Sequence, residues 1–155
     1  MNYLESLAAE FYEYKGNFVR RNVKTRKRPR GGYDVEIDVL AYQPKSKKLF
    51  HVETSGAATT WKSQREIILK KKFDLSKEEY EAELSCKISK IKKVMIIGWA
   101  KTEQAYFDQE IKVIPIPAFI NEVADKLKGK IPTKQIVPEH YPLLRSIQMA
   151  QHYIK

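Results

Sequence analysis

The chain has 155 residues, with 29 Lys+Arg against 19 Asp+Glu for a formal charge of +10, and 43% of it is hydrophobic. That length and apolar content fit one domain with a real core and exclude a fully disordered chain. The longest apolar stretch, residues 94–100, is seven residues with a glycine inside it, far short of a membrane span of about 20, and the single Cys86 rules out an internal disulfide or a multi-cysteine zinc site.

In chain order, residues 1–16 show no basic region followed by an apolar core, so no secretory leader is expected and a reducing cytoplasm is the default address. Leu4, Leu7, Ala8 and Phe11 recur at three- to four-residue spacing, which predicts an amphipathic helix over 2–15 that stops at Gly16. Phe18-Val19 suits a short strand leading into RRNVKTRKRPR at 20–30, seven basic residues in eleven with no acid. With a pI near 9.6, this clustering is the footprint of a polyanion binder, weighed against the plainer reading of a solvated basic loop. Pro29, Gly31 and Gly32 break the segment, and no apolar face accompanies it, which argues against a basic helix on a membrane surface. Gly31-Gly32 marks a turn.

The sequence DVEIDVLAY at 34–42 then alternates, which places Val35, Ile37, Val39 and Ala41 on one face and Asp34, Glu36, Asp38 and Leu40 on the other. LFHVETS at 49–55 reads as a second strand, Phe50 and Val52 facing one way and His51, Glu53 and Ser55 the other, and the two strands form a hairpin across the polar connection 43–48. A helix containing Trp61, Ile68, Leu69 and Phe73 is expected after Thr59 or Thr60, and a second after Ser76-Lys-Glu-Glu79, which has capping-box spacing. Residues 94–99 read as a buried strand, 102–107 as a short helix capped by Thr102, and 111–116 as another strand. Pro117 opens a helix through Val123 and Leu127, and Pro132, Pro138 and Pro142 give an irregular connection to a final helix over about 143–153. Strands and helices in this order predict an α/β sheet of mixed direction.

The hairpin carboxylates carry the chemistry. With its connection centred between residues 45 and 46, position i faces position 91 − i, and Asp38 lies opposite Glu53. Facing carboxylates repel one another, and a divalent cation relieves the repulsion, hard cations such as Mg²⁺ favouring oxygen ligands. A solvated acidic face is the ordinary alternative on a half-exposed strand.

At these residues the chain resembles the PD-(D/E)xK restriction-endonuclease-like superfamily: Glu36-Ile37-Asp38-Val39-Leu40-Ala41, a short connection, then Phe50-His51-Val52-Glu53 looks like its bent hairpin. Upstream, Glu5-x-x-Ala8-x-x-Phe11-Tyr12-x-x-x-Gly16-x-Phe18 and Arg21-Asn22-Val23 are similar to the opening of its small bacterial members, and the elements down to about residue 127 fit its remaining core. The resemblance implies a restriction-endonuclease-like mixed central sheet flanked by helices, with residues 1–128 as the nuclease-like core and 129–155 as a C-terminal helical extension packed on it. It also implies a metal-dependent phosphodiesterase in which Asp38 and Glu53 bind Mg²⁺ (or Mn²⁺), Glu5 approaches from the first helix and the Thr54 carbonyl adds a ligand. One position departs from the pattern. The superfamily's lysine belongs two residues after the second acid, where this chain has Ser55, and serine supplies no cation to orient water or bear the charge of a transition state. Some relatives move that group to a neighbouring helix, which makes Lys62 the replacement candidate, with Gln64 and Arg65 nearby.

The remaining features are read more plainly. His51 is expected to be a partly exposed strand residue, Trp61 a core residue, and Lys70-Lys71-Lys72 with the lysines of 87–93 a solvated basic surface. His140 and His152 lack metal-ligand spacing, Cys86 has no evident base, and Gly31-Gly32 lacks the spacing of a phosphate loop. The expected function is thus phosphodiester hydrolysis on DNA, with RNA open, and with Arg20, Arg21, Lys24, Arg26, Lys27, Arg28 and Arg30 engaging phosphates. The alternatives are a catalytically inactive nuclease-fold protein that binds nucleic acid, and an interaction module whose basic segment meets an acidic protein. A homodimer stays open.

Overall fold

The computed structural model describes residues 2–56, 71–98, 105–107 and 110–154, the last of these segments and the first carrying most of the packing. Helix α1, Tyr3–Tyr14, starts at a capping box in which the Asn2 side chain accepts from the Glu5 amide and the Glu5 carboxylate accepts from the Asn2 amide. It ends before Gly16, whose φ of +88° only glycine adopts cheaply. Strand β1 runs Phe18–Lys27, β2 Tyr33–Gln43 and β3 Lys48–Ser55, an antiparallel meander. Helix α2, Lys77–Leu84, has the capping box expected of Ser76 and Glu79. Strand β4, Lys90–Ile97, lies parallel to β3, and β6, Ile111–Pro115, parallel to β4. Helix α3, Ile116–Leu127, and helix α4, Pro142–Tyr153, close the chain. The short β5, Ala105–Phe107, pairs antiparallel with β6, and the sheet order is β1-β2-β3-β4-β6-β5. The architecture is α/β, with a mixed sheet flanked by helices and a C-terminal helix. None of the described helices is long and apolar enough to cross a membrane.

Three expectations are corrected. The basic run is not a loop after a two-residue strand: β1 takes in residues 18–27, because Val19, Val23 and Thr25 pair with Ala41, Ile37 and Val35 of β2 and their side chains are sheltered. Residues 105–107 form a strand, not the end of a helix, since their backbone pairs with β6 and the Ala-Tyr-Phe stretch suits a pleated surface; 102–104 lie outside the described residues. The alternation along β2 does not hold its phase. Val39 and Ala41 pack with α1, Val52 and Ile96, but Val35 and Ile37 belong to a second cluster with Leu40, Leu49 and Tyr80. The phase breaks around Asp38, where β2 leaves β3 and where the facing residue of β1, Asn22, is left-handed at φ +50°. The helix expected around Trp61, Ile68 and Leu69 lies outside the described residues, apart from a helical turn at 71–72 and the buried Phe73.

The larger core lies on the face covered by α1, α3 and α4, where Phe11 meets Phe119 edge-on at 5.6 Å and Leu144 of α4 is fully buried. Helix α4 has no side-chain cap of its own. Instead Glu10 of α1, 3% exposed, accepts from the Leu143 and Leu144 amides at 3.0 Å each, meeting two of the helix's orphan donors. Burial pushes the Glu10 carboxyl above its ordinary pKa, with those amides acting the other way. Gln148 fixes the preceding connection by accepting from the Val137 amide and donating to the Lys130 and Gln135 carbonyls. Glu10→Ala is expected to cost about 1–3 kcal/mol in urea unfolding, the range for orphaning buried donors, whereas the exposed Glu13→Ala stays within about 0.5 kcal/mol. Equal costs for the two would mean that α4 is held by apolar packing alone.

Candidate active site

The hairpin follows the register read from the sequence: Val39 pairs with Val52, Leu40 with His51 and Gln43 with Lys48, so paired numbers sum to 91 throughout. Asp38 and Glu53 occupy the next position, one step past the last paired residues, where the strands part. There the Asp38 side chain stands in for the ladder. Its Oδ2 accepts from the Thr54 amide at 2.8 Å and from the Thr54 hydroxyl at 3.1 Å. Neither carboxylate lies on a solvated face, since Asp38 is 8% and Glu53 0% exposed.

Both are brought to one cation, and it is not the one the sequence suggested. Lys72 Nζ contacts Glu53 Oε2 directly and stands 3.5 Å from Asp38 Oδ1. Burial disfavours the Lys72 ammonium, but the two carboxylates outweigh it and its pKa is raised, so the group stays charged. Lys62, Gln64 and Arg65 lie outside the described residues. The run 70–72 reads in the sequence as a solvated basic surface, whereas Lys72 turns inward. What draws it inward is the next residue: Phe73 is 2% exposed and packs on the His51 ring at 4.5 Å between centroids, so the turn before it lies over the end of β3. The apolar residue directly after the lysine run was the only signal in the sequence, and it is a weak one.

His51 is also corrected. It is fully buried, not partly exposed, and its two ring nitrogens are both engaged, Nε2 with Glu53 Oε1 at 2.9 Å and Nδ1 with the Tyr80 hydroxyl at 2.6 Å. Burial lowers the His51 pKa, with the Glu53 carboxylate opposing. Burial, then the Glu53 charge, pushes the Tyr80 phenol up. A protonated Tyr80 donates to Nδ1, which places the proton of a neutral His51 on Nε2, facing Glu53. The ring thereby orients one carboxylate oxygen while Lys72 engages the other.

Glu5 is not brought into this group. Its carboxylate accepts from the Asn2 amide at 3.1 Å and the Asn2 side chain at 2.6 Å, as part of the α1 capping box. Of the seven basic residues on and after β1, four have intramolecular partners. Arg20 pairs with Glu83 at 2.8 Å, Arg21 with Glu13 at 3.7 Å, and Arg28 with Asp34. Arg26, left-handed at φ +56°, makes a bidentate contact with Glu79 at 2.7 and 2.9 Å. Those bonds from Arg26, with the Ser76 amide, push Glu79 down to about 2. Lys24, Lys27 and Arg30 have no ion pair among the described residues and are exposed. No group of three or more His, Cys, Asp and Glu that could hold a metal occurs among the described residues. No family model, curated protein or solved structure matches the chain.

The depressed His51 pKa has a direct consequence for stability. An unfolded histidine takes up its proton near about 6.5, whereas the folded one does so only at lower pH. Between those values the unfolded state binds more protons, so stability falls as the pH drops below about 6.5. The melting temperature is expected to decrease from about pH 7 to about pH 5.5, and His51→Gln to flatten that decrease. Parallel curves for the two proteins would show that His51 titrates alike in both states.

Proposed function

We propose that this chain is a metal-dependent nuclease of the PD-(D/E)xK type that hydrolyses phosphodiesters in DNA. The observation that carries the reading is the convergence of the Asp38 and Glu53 carboxylates on the Lys72 ammonium where the hairpin strands part. The donor set suits Mg²⁺ (or Mn²⁺), which needs only one or two protein carboxylates and completes its shell with waters and substrate phosphate. When bound there, the ion would supply a lowered water pKa and offset charge on the scissile phosphate. Asp38 would hold it with an oxygen whose neighbour is fixed by Thr54, and Glu53 with a carboxylate whose rotation is stopped by His51. Lys72 takes the part of the superfamily's lysine, beside both carboxylates and able to orient water and stabilise the developing phosphate charge. Lys24, Lys27 and Arg30 supply sequence-independent phosphate contacts.

A second reading is favoured by Ser55 and by the way Lys72 already balances both acids. It is a protein of the same fold that binds nucleic acid without cutting it. Cleavage of linear and plasmid DNA with Mg²⁺ or Mn²⁺ separates the two. On the first reading Asp38→Ala and Glu53→Ala abolish cleavage, and Lys72→Ala slows it by roughly 10²–10³-fold, the usual loss for one preorganised charge-stabilising group. Binding without cleavage in the wild type supports the second. Cleavage unchanged in both acidic variants removes the site altogether, and activity lost in Lys62→Ala but kept in Lys72→Ala moves the cation to the position first read from the sequence.

A further inference from the structure

A second charged feature lies at the other end of β3, away from the two acids. Strand β4 begins at Lys90, but its pairing with β6 begins only at Lys93 opposite Ile111. Residues 90–92 therefore run past the start of β6 with no neighbour on that side among the described residues. The notch so formed is a cavity of about 590 Å³, within the range of ligand sites. Among the described residues its charged lining is Lys90, Lys92, Lys93 and Lys112 against Glu110, a net +3.

These lysines approach from both faces of the sheet. Lys92 is paired with Phe50 and sets its ammonium 5.9 Å from that ring's centroid, on the face covered by α1. Lys93 is paired with His51 on the opposite face and lies 3.7 Å from Glu110. Lys48 stands directly across from Lys90, a like-charge cross-strand pair that by itself disfavours the sheet. Partial burial, then the charges of Lys48, Lys90, Lys112 and Lys15, hold the Lys92 ammonium below the ordinary lysine value. Among the described residues, the acids that meet this group are Glu110, at Lys93, and Glu122, which pairs with Lys15 at 3.3 Å.

We propose that this notch binds phosphate groups of a nucleic-acid strand, as an anchoring site separate from the Asp38–Glu53 centre. It rests on the nucleic-acid part of the reading above and not on cleavage. Phosphates suit it because they bring repeated negative charge to several ammonium groups at once, and among the described residues no strand pairs with 90–92 on the β6 side. The distance also suits one bound strand. Of the notch lysines, Lys93 shares the face of Glu53: it is level with His51, two residues short of Glu53, which is about 7 Å along β3 at roughly 3.3 Å per residue, or about two nucleotides at roughly 3.4 Å of rise each.

The experiment is a salt titration of binding, by fluorescence anisotropy, with the full chain and a short labelled DNA single strand and duplex. The proteins compared are the wild type, Lys92→Gln, and the combined Lys90→Gln, Lys92→Gln, Lys112→Gln variant, each checked by its melting temperature. Losing a phosphate contact reduces the slope of log K against log salt by about 0.7 for a single strand and about 0.9 for a duplex. The expected result is a reduction near one such step for Lys92→Gln and two to three for the combined variant. Its melting temperature should be unchanged or higher, because neutralising crowded lysines relieves repulsion. Unchanged slopes in both variants, with the wild type binding DNA, overturn the notch and leave the nucleic-acid reading standing. No binding by the wild type to either DNA overturns both. Inorganic tripolyphosphate bound by the wild type and lost in the variants, with DNA binding unaltered, also overturns the proposal and assigns the notch to a free polyphosphate.

Discussion

A glutamate with no exposed surface is the constraint around which this fold is arranged. Withdrawing a carboxylate from water costs several kcal/mol unless other groups replace the solvent, and Glu53 has that replacement on both oxygens, Lys72 on one and the Nε2 proton of His51 on the other. Each partner is held in turn by apolar packing. Phe73, next to Lys72, lies against the His51 ring, and Tyr80 of α2 both donates to His51 and sits in the second core cluster. The charge on Glu53 therefore ties the end of β3, the turn at 71–73 and helix α2 into one unit. Removing the lysine would leave Glu53 with only its His51 bond in place of solvent, a larger loss than breaking a surface ion pair.

Asp38 depends on a different device. It sits where the β2–β3 ladder stops, and its Oδ2 takes up the Thr54 amide that the ladder would otherwise have paired. A carboxylate used as a backbone substitute has its direction set by the sheet, and its free oxygen points to the same ammonium as Glu53. The arrangement holds two acids near one point without direct contact between their strands' backbones. Rigid strands are the better support for such geometry, since a functional centre loses its effect when its groups drift by fractions of an ångström.

Much of this was legible in the residues. Alternation gave β3 and residues 39–42 of β2 their faces, and a polar connection centred between residues 45 and 46 gave the register, so the approach of Asp38 to Glu53 followed from arithmetic on the sequence. Capping chemistry located α1 and α2. What was not legible arises from contacts between distant segments. Lys72 lies 19 residues from Glu53, and nothing in its own neighbourhood distinguishes it from Lys70 and Lys71 except the buried aromatic that follows. The phase change in β2 coincides with a left-handed Asn22 across the strand, which no pattern within β2 encodes. The role of Glu10 is of the same kind, because a charged residue on the inner side of α1 makes sense only once α4 arrives at its end.

The distribution of the excess positive charge also differs from what a run of basic letters implies. On β1 the strand's geometry turns Arg20 and Arg26 toward α2, where Glu83 and Glu79 meet them, so part of the most basic segment serves to attach a helix. At the start of β4 the balance is reversed: lysines face one another across strands, and the one acid lining the notch among the described residues already lies near Lys93. Like charges set opposite in a sheet weaken it by a few tenths to about 1 kcal/mol per pair, a loss the fold tolerates because the adjoining core is large and apolar. A polyanion is drawn to charge that has no internal partner, not to charge counted along the chain. By that measure, on the nucleic-acid reading proposed above, the lysine end of the parallel strands would have a stronger claim on phosphate than the paired arginines of β1, and the exposed Lys24, Lys27 and Arg30 would add to it.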